Sequence, residues 1–384
     1  MKAGWQTKKI GDVIVENQKS KLKVRDSISE GKFPLYTSGV SISSYDDYIC
    51  DGKNLFIATG GKAYVQYYEG KAAYSTDCYS LTTRAEVTPK FLFYFLDSVL
   101  AVIEDQMFEG AALRHLQKTK FREITVPLPP LPEQQRIVGI LDESVEGIST
   151  AIANAQRNLQ NARKVYASVM ENLFSEFVDD CDNVDFGELI DTLTDYHANG
   201  SYEVLKKHVD LKDTEDFAWM VRSTDFENGF LNEKRYISEA AYNFLKKSRI
   251  FGGEIIMSKI GNAGKVYLMP EITRPCSLAM NLFLIRLKED IASNKYVYRY
   301  LKSERGEAQI LARLNGVATQ TITKESVRSL RIPFLPRDIQ DRFVLKLENV
   351  EAETQRLEYI YKQKLAALDD LKKSLLHQAF SGEL

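Results

Sequence analysis

The 384-residue sequence is poor in residues that usually mark a metal site, a disulfide framework or a membrane span. Its four cysteines, Cys50, Cys78, Cys181 and Cys276, are far apart, and no CxxC spacing or Cys/His cluster is present. We therefore expect neither a zinc site nor disulfides, because both need closely grouped ligands or paired thiols. No apolar run is long enough to cross a bilayer, and the N-terminus does not resemble a signal peptide. These absences predict a cytoplasmic chain with reduced thiols and no membrane partner.

Motifs for catalysis are also missing. The glycine-rich stretches "GGKAYV" and "GNAGKVY" lack the hydroxyl residue of a phosphate loop, since Ala63 and Val266 follow their lysines. No GxGxxG opens a helix, and neither GxSxG nor HExxH occurs. The Asn/Asp-Pro-Pro-aromatic motif of amino-methyltransferases is absent too. We therefore expect a non-catalytic chain that binds no cofactor.

What the sequence does contain is a repeat. "VPLPPLPEQQRIVGILD" from Val126 aligns without a gap with "IPFLPRDIQDRFVLKLE" from Ile332, and this alignment pairs Gln134 with Gln340. Upstream, "GAALRHLQKTKFREITVP" lies over "GVATQTITKESVRSLRIP", and "IGDVI" near the start resembles "FGELI". The chain is thus predicted to be two copies of one unit, related by a pseudo-two-fold repeat. Each copy would have a globular part followed by a helical part.

The helical parts show heptad spacing. After Pro132, a residue suited to the first turn of a helix, apolar side chains recur at alternating steps of three and four residues. These are Ile137, Leu141, Val145, Ile148, Ile152, Ala155, Leu159, Ala162, Tyr166, Val169 and Leu173. The second copy has a less regular series, Phe343, Leu347, Val350, Thr354, Leu357, Tyr361, Leu365, Leu368 and Leu375. Because an apolar stripe needs a partner, we expect the two helices to pair, and the chain order requires them to run antiparallel. The alternative is that each helix packs only on its own globular part.

The globular parts are predicted to be α+β. "KNLFIATGGKAYVQYY" and "GEIIMSKIGNAGKVYLM" each indicate a strand, a glycine turn and a second strand. "PKFLFYFLDSVLAVIEDQM" and "NKYVYRYLKSERGEAQILARL" indicate helices, and "ITVPLP" and "LRIPFLP" indicate closing strands. The net charge is −2, but the globular parts carry a slight basic excess and the helical parts an acidic excess. This distribution favours the globular parts as the regions that face an anion.

The repeated proline-rich junction and the two-unit layout resemble the specificity subunit of type I restriction–modification systems. "PLPPLPEQQRI" at the start of a long helix carries this resemblance, whereas Arg337 and Ile339 depart from it in the second copy. The resemblance implies two target recognition domains, at 1–130 and 181–335, and two long coiled-coil helices, at 131–180 and 336–384. It also implies that each domain recognises one half of a split site in double-stranded DNA, while the helices set the spacer.

The partners implied by the resemblance are two modification subunits, which methylate adenine with S-adenosylmethionine, and restriction subunits, which hydrolyse ATP. Those activities would lie outside this chain. Two other functions remain open from the residues alone. One is a stand-alone methyltransferase or nuclease with unfamiliar motifs, and the other is a coiled-coil scaffold that does not bind DNA.

The DNA-contacting residues are predicted from chemistry. Arg, Lys, Asn and Gln are suited to base edges, and lysines and hydroxyls to phosphates. Glycine turns can bring such groups close to the duplex. In the first unit the candidates are Lys62, Tyr64, Arg84, Arg114 and His115. In the second unit they are Lys259, Asn262, Lys265, Arg313, Asn315, Thr319 and Gln320. The alternative for each is an ordinary hairpin residue in solvent, and for Tyr64 a core residue.

Overall fold

A computed structural model describes residues 4–178, 181–231, 233–316 and 319–384 of the chain. It has two compact units. The first comprises the chain up to Leu159 together with Tyr359–Leu384, and the second comprises Gln160–Glu358. Each unit combines short strands with helices, which confirms the predicted α+β class. The predicted boundary at residue 180 lies outside the described residues, and the other domain boundaries stay predictions.

The described residues of the first unit form eleven strands and the start of a long helix. The strands are Gln6–Lys9 (β1), Ile14–Glu16 (β2), Phe33–Tyr36 (β3), Ser43–Tyr45 (β4), Lys53–Ala58 (β5), Val65–Glu69 (β6), Ala73–Tyr74 (β7), Cys78–Thr83 (β8), Phe108–Glu109 (β9), His115–Leu116 (β10) and Thr125–Leu128 (β11). The helices are Ile10–Val13 (α1), Pro89–Ser98 (α2), Leu100–Met107 (α3), Lys118–Arg122 (α4) and Leu131–Val178 (α5).

The main sheet of the first unit has the order β2-β8-β5-β6, with antiparallel pairing throughout. Its β5–β6 hairpin is the predicted strand, glycine turn and strand. A smaller sheet, β4-β3-β7, packs its aromatic residues on the main sheet, where the rings of Tyr36 and Phe56 stack with centroids 4.0 Å apart. The closing strand β11 pairs with β1. Alternating buried positions on β5 and β8 therefore face two separate cores.

The second unit repeats this plan with a larger insertion. Its strands are Asn183–Asp185 (β12), Ile190–Asp195 (β13), Ala218–Val221 (β14), Arg235–Ile237 (β15), Arg249–Ile250 (β16), Ile255–Ser258 (β17), Val266–Leu268 (β18), Cys276–Leu278 (β19), Leu282–Leu287 (β20) and Arg331–Pro333 (β21). Its helices are Phe186–Leu189 (α6), Tyr202–His208 (α7), Ser223–Glu227 (α8), Glu239–Phe244 (α9), Asn294–Leu301 (α10), Glu304–Leu311 (α11), Lys324–Arg328 (α12) and Arg337–Ser381 (α13), of which α13 continues into the first unit.

The sheets of the second unit correspond to those of the first. The main sheet has the order β13-β20-β17-β18, the closing strand β21 pairs with β12, and a second sheet has the order β15-β14-β19-β16. The short helices α1 and α6, near the start of each unit, also correspond. Gly11 of α1 and Gly187 of α6 leave room for the side chains of Arg122 and Arg328, which would lie 3.1 Å from an added Cβ. The predicted internal repeat is confirmed by these matching sheets.

The long helices contribute to both units. In the first unit, Leu141 of α5 shares a core with Leu376 of α13. In the second unit, the rings of Phe174 (α5) and Phe343 (α13) lie 4.7 Å apart. The start of α5 thus meets the end of α13, and the end of α5 meets the start of α13, so the helices run antiparallel as predicted. The alternative, in which each helix packs only on its own globular part, is wrong.

Candidate DNA interface

The repeated junction contains a buried glutamine. Gln134, in the first turn of α5, is 0% exposed. Its Oε1 accepts a hydrogen bond from the backbone N–H of Thr88 at 2.9 Å. Its Nε2 donates to the carbonyl oxygens of Glu86 at 2.9 Å and Pro129 at 3.0 Å. The amide therefore satisfies backbone groups that would otherwise be unpaired, and it fixes the helix to the globular part of its own unit.

Gln340 does the same in the second unit. Its Oε1 accepts from the N–H of Ser293 at 2.8 Å, and its Nε2 donates to the carbonyl oxygens of Ile291 at 2.9 Å and Leu335 at 2.8 Å. This side chain is 2% exposed. The same junction thus occurs twice because each unit needs the same buried amide to orient its helix.

In the first unit, two loops meet at one end of the main sheet. We call residues 59–64, between β5 and β6, the first hairpin turn, and residues 110–115 the first glycine loop. The N–H of Gly61 donates to the carbonyl oxygen of Arg114 at 3.1 Å, which joins the two loops directly. Exposed side chains from both loops therefore share one surface.

The second unit contains the same pair of loops. Residues 259–265, between β17 and β18, form the second hairpin turn, and residues 316 and 319–321 belong to the second glycine loop. The N–H of Ile322 donates to the carbonyl oxygen of Lys259 at 3.1 Å. In the first unit the equivalent bond runs from Leu116 to Thr59 at 3.0 Å. The backbone contact between turn and loop is therefore preserved in both copies although the side chains differ.

A glycine is required at the start of each glycine loop. Gly110 has φ +141° and Gly316 has φ +93°, both positive values that L side chains rarely adopt. A Cβ on Gly110 would lie 2.3 Å from the carbonyl oxygen of Leu113, and one on Gly316 would lie 2.4 Å from that of Thr319. Both loops fold back on themselves so tightly that any side chain at these positions would collide with the backbone.

The structure brings most of the first-unit candidates together. Lys62 is exposed in the first hairpin turn, next to the half-buried Tyr64, and His115 is exposed in the first glycine loop. Arg84 is exposed elsewhere. It follows the end of β8, whereas the hairpin turn adjoins the start of that strand, where Cys78 pairs with β5. Arg84 therefore lies at the opposite end of the sheet from the other candidates.

Two candidate arginines use their guanidinium groups inside their own unit. Arg114 donates to the carbonyl oxygens of Phe108 at 3.0 Å, Asp105 at 3.3 Å and Glu104. In the second unit, Arg313 donates from Nε to the hydroxyl of Ser329 at 3.0 Å and from Nη2 to its carbonyl oxygen at 2.9 Å. These bonds tie the arginine side chains to neighbouring backbone, which leaves fewer of their donors available to DNA.

Lys259 belongs to a charged cluster at the base of the second hairpin turn. Its Nζ lies 3.1 Å from Oδ2 of Asp195, and Nζ of Lys324 lies 3.7 Å from the same oxygen. Burial by itself would raise the pKa of Asp195, but the hydrogen bond from Lys259 and the charge of Lys324 outweigh it and lower the pKa below its usual value of 3.8. Asp195 is therefore ionised at neutral pH and anchors the base of the turn.

Asn262 and Lys265 both contact a carboxylate that was not predicted from the sequence. Nδ2 of Asn262 lies 3.1 Å, and Nζ of Lys265 3.0 Å, from Oε1 of Glu227. Glu227 ends α8, far from the turn in the chain, so no local spacing signals the contact. Of the remaining candidates, Thr319 and Gln320 are exposed in the second glycine loop. Asn315, just before that loop, pairs its backbone with Thr321 at the end of the loop. All of these assignments to DNA contact stay predictions.

Within the described residues, no group of three or more His, Cys, Asp or Glu side chains could hold a metal ion. In the same part of the chain, no helix is both long and apolar enough to span a membrane.

A protein-family model matches most of the chain. Residues 2–159 and 190–366 match the family model described as the type I restriction modification DNA specificity domain. The chain belongs to this family. Type I specificity subunits are non-catalytic. The family match confirms the prediction of a specificity chain, and its two matched ranges confirm the two recognition domains.

Curated relatives of the type I specificity family cover nearly the whole chain at low identity. The specificity subunit of the type I restriction enzyme MjaVIII from Methanocaldococcus jannaschii is 19% identical, over 99% of this chain and 93% of its own length. The EcoDI specificity subunit from Escherichia coli is 20% identical, over 99% of this chain and 88% of its own length.

Solved structures of type I systems share the fold. A chain from a study of complex assembly and conformational transition of the type I R-M system matches with a TM-score of 0.73 at 16% identity, over 100% of this chain and 99% of that one. The HsdS subunit from Thermoanaerobacter tengcongensis matches with a TM-score of 0.58 at 17% identity, over 100% and 98%. At such identities the likeness establishes the fold, and the DNA site of this member depends on its own residues.

Proposed function

We propose that the chain recognises a bipartite site in double-stranded DNA, with one half-site bound by each unit. The observation that carries this proposal is the shared arrangement of hairpin turn and glycine loop. Both units present the same backbone framework, joined by the same hydrogen bond, with different exposed side chains on it. A duplicated framework with divergent side chains is suited to binding two different short sequences in equivalent ways.

The candidates in or next to these loops whose side chains are at least partly exposed are the proposed DNA contacts. In the first unit they are Lys62, His115 and the half-buried Tyr64, and in the second they are the half-buried Lys259 and the exposed Asn262, Lys265, Asn315, Thr319 and Gln320. Arg114 and Arg313 are proposed to support the loops through their backbone bonds, with any DNA contact made by their remaining donors. Arg84 is proposed to contact only the phosphate backbone, because it lies away from both loops of its unit.

The long helices are proposed to set the spacer between half-sites and to bind two modification subunits, with restriction subunits joining the cytoplasmic complex. Exposed apolar side chains on the helices support a protein-binding role. Val165 on α5 is 54% exposed, and Leu345, Tyr359 and Leu371 on α13 are 59%, 65% and 54% exposed. Large apolar groups in solvent are typical of surfaces that bind another protein.

Mapping of DNA modification tests the proposal. The chain would be co-expressed with its modification subunit in a host without DNA methylation, and the genome sequenced by a method that detects N6-methyladenine. We expect a split motif, with two short defined halves around an unspecified spacer. Methylation of a continuous motif would mean that only one unit binds specific bases. A stable complex without methylation would favour the scaffold alternative.

Two changes to the chain test which unit binds which half-site and whether the helices set the spacer. Replacing residues 1–127 with the corresponding segment of a relative should alter one half-site and leave the other unchanged. Adding one heptad to both long helices should lengthen the spacer and preserve both half-sites. Altered half-sites after the heptad insertion would contradict the role proposed for the helices.

A further inference from the structure

A single carboxylate oxygen of Glu227 accepts hydrogen bonds from three donors in the second unit. Its Oε1 accepts from Nδ2 of Asn262 at 3.1 Å, from Nζ of Lys265 at 3.0 Å and from the hydroxyl of Tyr267 at 3.2 Å. Asn262 and Lys265 lie in the second hairpin turn, and Tyr267 lies on β18 just after it. Amide and ammonium groups are the chemistry that binds base edges and phosphates in DNA. The carboxylate therefore occupies a position where a DNA acceptor oxygen would be bound.

The surrounding residues fix this arrangement. The buried ring of Tyr267 stacks on Phe226 with centroids 4.6 Å apart, and Phe226 directly precedes Glu227 in the chain. On the other side of the turn, Gly264 packs so closely on α11 that an added Cβ would lie 2.3 Å from the side chain of Ile310. Both the carboxylate and its donors are thus held by packed neighbours.

The charge state of the site follows from its donors. Hydrogen bonding by Lys265, followed by that of Asn262, lowers the pKa of Glu227 below its usual value. The carboxylate is therefore ionised at neutral pH and neutralises Lys265. In the first hairpin turn, by contrast, Lys62 is exposed and forms no ion pair with any described residue. Lys62 in the first turn can consequently bind a DNA phosphate more readily than Lys265 in the second turn.

We propose that Glu227 masks the donors of the second hairpin turn and so keeps Lys265 from binding the phosphates of DNA that lacks the half-site. Non-specific affinity arises mainly from lysine and arginine contacts to phosphates. DNA without the half-site offers a phosphate to Lys265 but no matched acceptor to Asn262, so displacing the carboxylate gains little. The correct half-site offers acceptors to both side chains and compensates for the displacement. This inference rests on the proposed role of the second hairpin turn in DNA binding.

The test compares affinities of the assembled complex for two duplexes. One contains the site found by modification mapping and the other has neither half-site, and each is titrated by fluorescence anisotropy across a salt series. The variants are Glu227→Gln, Lys265→Met and the double variant. The matched control is Glu325→Gln, which removes the same charge next to Lys324, from a surface pocket that Lys259 also lines. Glu325 forms no ion pair within 4.0 Å in the described part of the chain, so no lysine loses an ion-pair partner when it is replaced.

We expect Glu227→Gln to tighten binding to the duplex without a site by about fivefold, the value of one exposed ion pair at the upper end of its range. The slope of log affinity against log salt should steepen by about 0.9, because one additional phosphate contact forms. Affinity for the duplex with the site should tighten at least as much, because the carboxylate no longer has to be displaced there either. Lys265→Met should alter non-specific binding little in the native background and should abolish the gain in the double variant.

Three results would overturn the inference. Equal gains in Glu227→Gln and Glu325→Gln would mean that only the net charge of the surface matters. A gain that persists in the double variant would mean that Lys265 is not the masked group. Weaker binding of Glu227→Gln to both duplexes would mean that the carboxylate assists binding. Failure of the native complex to prefer the mapped duplex would instead contradict the proposed function.

Discussion

The strongest prediction concerns the buried glutamine of the second unit. In Gln340→Met, a side chain of similar size replaces the amide, so the packing is retained while three hydrogen bonds are lost. The N–H of Ser293 and the carbonyl oxygens of Ile291 and Leu335 would then be buried without this partner. With a net value of about 1 kcal/mol for each bond, the variant should lose about 3 kcal/mol of unfolding free energy.

Differential scanning calorimetry of the full chain is the appropriate assay. Each unit has its own hydrophobic cores, so we expect separable transitions. For a unit of this size, about 3 kcal/mol corresponds to a fall in Tm of roughly 6–12 °C. Only the transition of the second unit should move in Gln340→Met, and only that of the first unit in Gln134→Met. Hydrogen exchange should accelerate at the amide of Ser293 in the first of these variants.

The matched control is Gln355→Met. Gln355 is exposed in the interior of the same helix, so its replacement should shift Tm by less than about 2 °C, as surface substitutions usually do. A similarly small shift in Gln340→Met would refute the stabilising role of the buried amide. An equal fall of both transitions in Gln340→Met would also refute it, because the effect would then not be local to the junction of one unit.

Two further predictions address the loops. Because the pKa of Asp195 is lowered in the folded chain, its carboxylate stabilises the second unit well above pH 3.8, and this contribution is lost as pH falls through the folded-state pKa. Asp195→Asn should therefore cost roughly 1–2 kcal/mol in urea unfolding at pH 7 and progressively less as the pH falls below 3.8, and a cost that stays constant with pH would contradict the ion-pair account. Gly110→Ala and Gly316→Ala should each weaken binding at one half-site only, by roughly five- to a hundredfold, since a non-glycine residue at positive φ costs about 1–3 kcal/mol. Footprinting of each half-site measures this, and loss of both halves from one substitution would count against two independent recognition units.

Local patterns in the sequence were sufficient for the hairpins, the closing strands and the long helices. Each of these elements has a strong signal of its own, such as a glycine turn between apolar runs or a heptad series. The additional sheet of each unit, β4-β3-β7 in the first and β15-β14-β19-β16 in the second, was not predicted. Its strands are only two to four residues long and come from distant segments, so that Trp219 on β14 pairs with Cys276 on β19. Such strands form because tertiary contacts pair them.

The candidate site likewise contains residues that could be predicted from the sequence and residues that could not. Lys62, Asn262 and Lys265 could be found because glycine turns and donor chemistry are visible in the sequence. The acidic partners Asp195 and Glu227 could not, since the folded chain brings them to the turn from other strands and helices. The alignment of Gln134 with Gln340 was visible from the start, but the burial that explains it appears only in the fold.

The contribution of α13 to the first unit has a consequence for synthesis of the chain on the ribosome. Phe380 makes edge-to-face contacts with Phe91 and Phe95, at centroid distances of 5.3 and 5.4 Å, and these contacts belong to the core of the first unit. Residues 160–358, which build the second unit, are translated before Phe380 emerges. Domains usually complete their folding in the order of translation. Here the second unit can finish first, and a nascent chain that stops before residue 376 leaves the earliest-translated unit without the residues that close it.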